Sequence, residues 1–193
     1  MTTEIEFGAR SDTGCVRESN EDSYGAAPEL NLFVLSDGMG GLACGEVASC
    51  LAVETVIREC RGSQAALRNG DGVSAESNAL VSAIRAANEA IHRTANENGI
   101  ERQMGATIVA VQFAGQRMSL AHVGDSRAYR LRGEQLEQLT RDHSFVAEQV
   151  RQGRMTEQEA GQSGLQNVLV RALGIGPDVE VDVTEELALE DDT

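Results

Sequence analysis

Residues 33–49, FVLSDGMGGLACGEVAS, run an apolar stretch into Asp37 and then place three glycines in the next four positions. A strand tip of this kind offers one carboxylate and bare backbone. Asp37 can bridge two hard cations, and Gly38 behind it can lend its carbonyl oxygen without steric obstruction. Taken alone, SDGMGG equally suits an exposed turn. It is neither a Walker loop nor a dinucleotide fingerprint, because both spacings are missing. Two further stretches give it partners. RESNED, 17–22, carries Arg17, a planar fork for two phosphate oxygens, and Glu21 and Asp22, which can supply oxygens to a metal or its waters. Its bland reading is a solvated charged loop. HVGDSRAYR, 122–130, ends a second apolar strand on Gly124-Asp125, and its bland reading is a tight turn with an Asp125–Arg127 surface pair. Three acidic strand-end sites and one arginine together are far less probable by accident than any one of them.

The 193 residues suit one domain with a real core, and 41% hydrophobic content is globular. A net charge of -15 leaves no basic face for nucleic acid or anionic lipid, so phosphate must be captured by a local device. Cys15, Cys44, Cys50 and Cys60 form no C-x-x-C pair and no zinc-like spacing with the histidines. Cys50 and Cys60 fall on an apolar helical stripe with Val47, Val53 and Ile57, which predicts core packing. No signal peptide opens the chain and no run approaches the roughly 20 apolar residues of a membrane span, so a reduced, cytoplasmic, soluble protein is expected.

Short strands are expected at Ile5–Phe7 and Tyr24–Ala26, flanking the polar loop SDTGCVRESNED, and another at Leu32–Leu35. Helices are expected over 45–60 and 74–98, the second with Leu80, Ile84, Ala87, Ile91 and Ala95 on one face and Asn98-Gly99 as its stop. From Ala106 the period changes, and four strand-like pieces joined by glycine turns predict an antiparallel meander. A helix near Ser144–Gln152 follows, and Thr156 with Glu159 forms a capping box. Residues 161–178 are glycine-rich and weakly periodic, more like a lid than core. RNGDGVSAE, near residue 70, hints at a calcium loop but puts Leu67 and Asn78 where acids are needed, leaving a helix-flanking loop.

In order, SDTGCVRESNED, LSDGMGGLACGEVAS, MGAT (104–107), HVGDSRAYRL, TRDHSFV and QNVLVRALG closely resemble the bacterial metal-dependent type 2C (PPM) protein serine/threonine phosphatases across essentially the whole chain. The resemblance implies an α+β layered sandwich of two antiparallel sheets flanked by helices, in a single domain over 1–193 with 144–178 as a helical or flap insertion. It implies two Mn²⁺ or Mg²⁺ ions bridged by Asp37, with Gly38 as carbonyl ligand, Asp22 near the metal-bound waters, Glu21 contributing, Asp125 holding a third, weaker ion, and Arg17 gripping phosphate. Asp142 and His143 match a motif with a structural role. The implied reaction is hydrolysis of phosphoserine or phosphothreonine proteins by a two-metal-activated water, opposing a serine/threonine kinase, without nucleic acid or membrane, by a protein monomeric when complete.

Two departures from the family stand out. Met39 occupies the position where many relatives place a leaving-group histidine; plain packing is equally compatible with it. After Asp125 there is no Asp-Gly and no Asp-Asn, although the family supplies two further metal aspartates from such motifs. Glu185, Glu186, Glu190, Asp191 and Asp192 read as a solvated approach to a strand rather than substitute ligands. C-terminal strands are therefore expected to be missing, with weak metal binding and low turnover in the 193-residue form. Two alternatives stand beside the phosphatase: a non-catalytic phosphoprotein-binding regulatory relative, and a hydrolase of small phosphoesters.

Overall fold

The protein is described by a computed structural model covering residues 5–17, 19–40, 44–63, 74–100 and 104–188. Two strands, β1 (Asp22–Ala27) and β2 (Leu32–Met39), precede two long helices, α1 (Cys44–Ser63) and α2 (Ala75–Glu97). Then come β3 (Gly105–Ala106), β4 (Ile108–Ala114), β5 (Arg117–Val123), β6 (Tyr129–Arg132) and β7 (Gln135–Gln138). Helices α3 (Phe145–Arg151) and α4 (Glu157–Gln162) and strand β8 (Asp182–Leu187) complete the order. All pairings are antiparallel: a six-stranded sheet ordered β1-β2-β4-β5-β8, with β3 beside the end of β2, and a two-stranded sheet of β6 and β7. The two antiparallel sheets with flanking helices are those expected.

Period-2 alternation sets the faces of β2. Leu32, Val34 and Ser36 are buried toward α1, while Phe33, Leu35 and Asp37 point to the opposite face. The α2 stripe is buried as expected, with Leu80, Ile84, Ala87, Ile91 and Ala95 fully enclosed, and Gly99 in the left-handed region ends the helix. In α1 the buried stripe is Ala48, Ala52, Val53, Val56 and Cys60. Cys50 is exposed, with its thiol toward Glu54, and Val47 is 49% exposed, so their expected core role does not hold. Helix rotation of about 100° per residue turns positions 47 and 50 away from the Ala48–Ala52–Val56 line.

Three other expectations change. Ile5–Phe7 forms no strand; Phe7 instead lays its ring on Phe33, centroids 5.1 Å apart. The meander breaks after β5, because Gly124 adopts φ +105 and the following coil leaves the sheet, so β5 takes β8 as its neighbour. The lid-like stretch 161–178 is core at its far end. There Leu173 is fully buried and bridges Ala106, and the buried Asn88 of α2 accepts from Gly174 N at 2.8 Å and donates to the Gly176 and Pro177 carbonyls. The Thr156–Glu159 capping box is present. Most of the loop near residue 70, 64–73, lies outside the described residues.

Glu185 and Glu186 are structural. Glu186 binds Arg130 at 2.6 Å, tying the small sheet to β8. Glu185 accepts from Ser74 N at 2.8 Å and from Ser77 Oγ at 2.6 Å, closing the N-terminus of α2 from across the fold. Those bonds hold its carboxyl down at about 2. Because the folded value is depressed, the stabilisation is complete above the ordinary glutamate value and is lost as pH falls toward 2. Glu185→Gln is expected to cost about 0.5–1 kcal/mol at pH 7, a cap-sized loss discounted for solvent exposure, and the difference should shrink toward zero near pH 2. Urea melts of both proteins at pH 7, 4 and 2.5 check this; a pH-independent gap rejects it. Glu190, Asp191 and Asp192 lie outside the described residues.

Candidate metal and phosphate site

The β1–β2 hairpin places Asp22 directly opposite Asp37, in a register that continues through Ser23–Ser36 and Tyr24–Leu35. Facing side chains in such a pair have Cβ atoms about 5 Å apart. The two carboxyls are within hydrogen-bonding reach of each other. The polar loop before β1 is ordered locally, by Asp12 accepting from Gly14 N at 2.9 Å and Asn20 accepting from Asp22 N at 3.1 Å. Asp12, Thr13, Arg17, Ser19, Asn20, Glu21, Asp22 and Asp37 line a cavity of about 240 Å³. Arg17 is an exposed residue of this cavity, its guanidinium 3.9 Å from the Glu21 carboxylate.

The electrostatics are those of crowded like charges. Burial first, and then the Asp22 charge, push the Asp37 carboxyl up to about 6; Arg17 opposes this and Asp125 adds to it. Burial also raises the Asp125 carboxyl, with Asp142 adding to the shift and Arg127 opposing it. Asp125 is outside the cavity lining, near enough for its charge to act on Asp37. Arg127 does not form the surface pair with it that the bland reading of HVGDSRAYR would give. Its guanidinium takes Asp142 in a fork, at 2.6–3.1 Å, because Asp142 presents both oxygens to it.

Gly38 is buried within β2 and donates its N–H to Glu21 O at 3.0 Å. A Cβ there would stand 1.9 Å from Gly45 O, so the strand tip and the start of α1 approach backbone to backbone. A Cβ at Gly45 would meet the Glu21 carboxyl at 2.7–3.0 Å. The two glycines thus let β2, α1 and Glu21 converge behind the acidic pair. Met39 packs its methyl group near Gly105.

One positioning group was not picked out by sequence reasoning. Thr107 Oγ1 accepts from Asp37 N at 3.0 Å and pairs with Ser126 Oγ at 2.6 Å, while Thr107 N donates to Asp37 O at 2.8 Å. One hydroxyl therefore links the Asp37 strand tip to the residue after Asp125. Thr107 lies within the MGAT motif, but no spacing in the sequence announces a bond across seventy residues.

A family profile for protein phosphatase 2C matches residues 16–168. The chain is 40% identical over 187 residues to the serine/threonine protein phosphatase PstP of Mycobacterium tuberculosis, covering 95% of this chain and 34% of that protein. It thus spans about a third of the length of that relative. It is 35% identical to the serine/threonine phosphatase stp of Listeria innocua, over 90% of this chain and 68% of that one. The crystal structure of M. tuberculosis PstP superposes with a TM-score of 0.81 at 38% identity, over 95% of this chain and 73% of that chain. The PstP catalytic domain in complex with two manganese ions gives a TM-score of 0.77 at 38% identity, over 95% and 72% of the two chains. With sequence, topology and the acidic hairpin in agreement, the chain belongs to the protein phosphatase 2C family.

Proposed function

We propose that this chain is a Mn²⁺- or Mg²⁺-dependent phosphoprotein phosphatase acting on phosphoserine and phosphothreonine. The observation that carries the proposal is the opposed pair Asp22–Asp37, with the Asp37 carboxylate disfavoured by burial and by the Asp22 charge, in one cavity with Arg17. Hard divalent cations suit that donor set: carboxylate oxygens held close together, with negative charge in excess of the one arginine. Asp37, Asp22, Glu21, Gly38 and Asp125 are the residues assigned to hold them. Bound cations supply an activated water and positive charge against the phosphoryl group.

The chain's own residues do the rest. Arg17 grips two phosphoryl oxygens and orients the phosphorus over the acidic pair. Glu21 pairs with Arg17 at 3.9 Å, and Thr107 fixes the Asp37 backbone on which the carboxylate stands. Among the described residues no cysteine lines the cavity. We assign 1–193 to one domain, with 144–178 as an insertion whose ends rejoin the body through Val170 N to His143 O and through Leu173 with Ala106. Among the described residues no helix is long and apolar enough to cross a membrane; we assign the protein to the cytoplasm, opposing a serine/threonine kinase.

The test is hydrolysis of a phosphothreonine peptide and of p-nitrophenyl phosphate, each with Mn²⁺ and with EDTA. Manganese-dependent release from the peptide supports the proposal. Mn²⁺ and phosphopeptide binding without turnover would favour a phosphoprotein-binding role, and turnover of the small ester alone a small-phosphoester hydrolase. Arg17→Lys should raise KM for the peptide and lower kcat/KM by ~10-fold or more, since a point charge cannot reproduce a two-oxygen grip. Unchanged kinetics would reduce Arg17 to a surface charge.

A further inference from the structure

Outside the acidic cavity the described residues hold one cluster of metal-type side chains. His122 of β5, His143 and Asp182 of β8 bring ligand atoms within 4.8 Å of one another, both histidines being buried. The imidazole rings stack at 4.8 Å, and a cleft of about 450 Å³ lined by His122, Thr140, Arg141 and Asp182 opens beside them. Hydrogen placement argues against a cation here. Gly124 N donates to His143 Nδ1 at 3.1 Å, so a neutral imidazole must carry its proton on Nε2, the atom that would have to bind metal. Arg171 donates to Asp182 Oδ1 and already neutralises that carboxylate.

What the same atoms do is hold a turn. Gly124 has φ +105, and a Cβ would strike Thr107 at 2.6 Å, so this residue has no side chain to anchor it. Its two backbone groups are both bound by His143: the N–H by Nδ1, and the carbonyl by the His143 N–H at 3.0 Å. The next residue is Asp125, and the one after it reaches Thr107. Behind the ring, His143 Nε2 lies between Arg171 Nη1 at 3.2 Å and Asp182 Oδ2 at 3.4 Å, and only the carboxylate can accept its proton. Burial first, then the Arg171 and His122 charges, lower the His143 ring from its usual range, with Asp182 opposing them.

We propose that His143 is a positioning residue for the Asp125 carboxylate, held by Asp182 in its Nε2-protonated tautomer so that Nδ1 stays free to accept the Gly124 amide. The proposal rests on Asp125 being a cation ligand, as assigned above. It links β8 and the end of the 144–178 insertion, through Asp182 and Arg171, to the rim of the metal and phosphate site.

The test begins with the unsubstituted protein, free of metal. Long-range proton–nitrogen NMR of His143 should give the Nε2–H pattern, and the Gly124 amide should be protected from exchange. His143→Asn places an acceptor where Nδ1 stood, whereas His143→Phe keeps the ring stack on His122 and removes the acceptor. In the Phe variant the Mn²⁺ concentration that half-saturates the Asp125-dependent site should rise about tenfold or more, the scale for losing a group that orients a ligand, with Asn restoring most of it. Calorimetric Mn²⁺ titration, with Asp125→Asn as the reference, reads this, and circular dichroism confirms that each variant is folded. An Nδ1–H tautomer overturns the proposal, as does equal weakening by Asn and Phe, or one zinc ion bound through His143 and Asp182. If Asp125→Asn takes up Mn²⁺ like the unsubstituted protein, the cation assignment of Asp125 fails and the proposal as stated falls with it. The tautomer and amide signals would then separate that failure from a failure of the His143 clamp.

Discussion

Asp37→Asn is expected to abolish Mn²⁺ binding and to lower the kcat/KM of the proposed phosphatase reaction by ~10³-fold or more, a loss of about 4 kcal/mol, while making the metal-free protein more stable. The two effects share a cause. Asp37 is held at about 6 by burial and by the Asp22 charge, well above an ordinary aspartate. A folded value raised above the unfolded one means that the fold binds the proton more tightly. The stability that Asp37 itself contributes to the metal-free protein is therefore fully present below the ordinary aspartate range and is lost as pH rises to about 6. At pH 7.5 the full cost is present, about 1–2 kcal/mol for this partly exposed carboxylate. Removing the charge should raise the metal-free Tm by roughly 3–6 °C and flatten its dependence on pH between 4 and 7. Saturating Mn²⁺ should do the same for the unsubstituted protein, since a cation replaces the proton. Calorimetric titration and thermal melts across pH decide it. Unchanged Mn²⁺ affinity, or a lower Tm in Asp37→Asn, would reject the assignment.

Gly38→Ala should be the most disruptive single methyl in this part of the fold, costing about 3–5 kcal/mol. The added carbon would meet Gly45 O at 1.9 Å, Gly45 C at 2.3 Å and Glu21 O at 2.8 Å, all of them backbone atoms. No rotamer change relieves such contacts; either the first turn of α1 moves or the end of β2 does. Gly45→Ala is the control, because its new methyl meets only the far end of the Glu21 side chain, which can swing aside. Denaturant melts should show a loss several times larger for Gly38→Ala than for Gly45→Ala. Comparable losses would mean that β2 and α1 do not meet backbone to backbone at Gly38.

The acidic hairpin was legible because its signals are local. A strand ending on Asp-Gly, and an acid pair before the preceding strand, can be read within a few residues. So could the α2 face, where a 3.6-residue period runs from Leu80 to Ala95. What could not be read depends on partners far along the chain. Nothing in LTRDHS says that Asp142 will take Arg127 from Asp125, or that His143 will bind Gly124. Cys50 misled because an apolar side chain one-third of a turn off the stripe still counts toward it on paper. Glu185 looked solvated because acidic runs usually are; its hydrogen bonds to Ser74 and Ser77 exist only once β8 has joined β5. The broken meander turned on a single glycine, Gly124, whose positive φ releases the chain from the sheet.

The strand order also dictates when the site can come into being. The β1–β2 hairpin closes over a short turn through Asn31, and β4–β5 closes at Gly115; local hairpins of this sort form within microseconds. Joining them is another matter, because Val34 meets Ala110 only after α1 and α2 have been traversed, and Leu120 meets Thr184 later still. Such distant pairings slow folding and concentrate it in one cooperative step. Asp22 and Asp37 belong to the fast hairpin, but the Thr107 hydroxyl that fixes Asp37 arrives only with the slow pairing. Cation affinity should therefore appear together with the global fold, and a half-folded chain, though it already carries both carboxylates, has little hold on manganese.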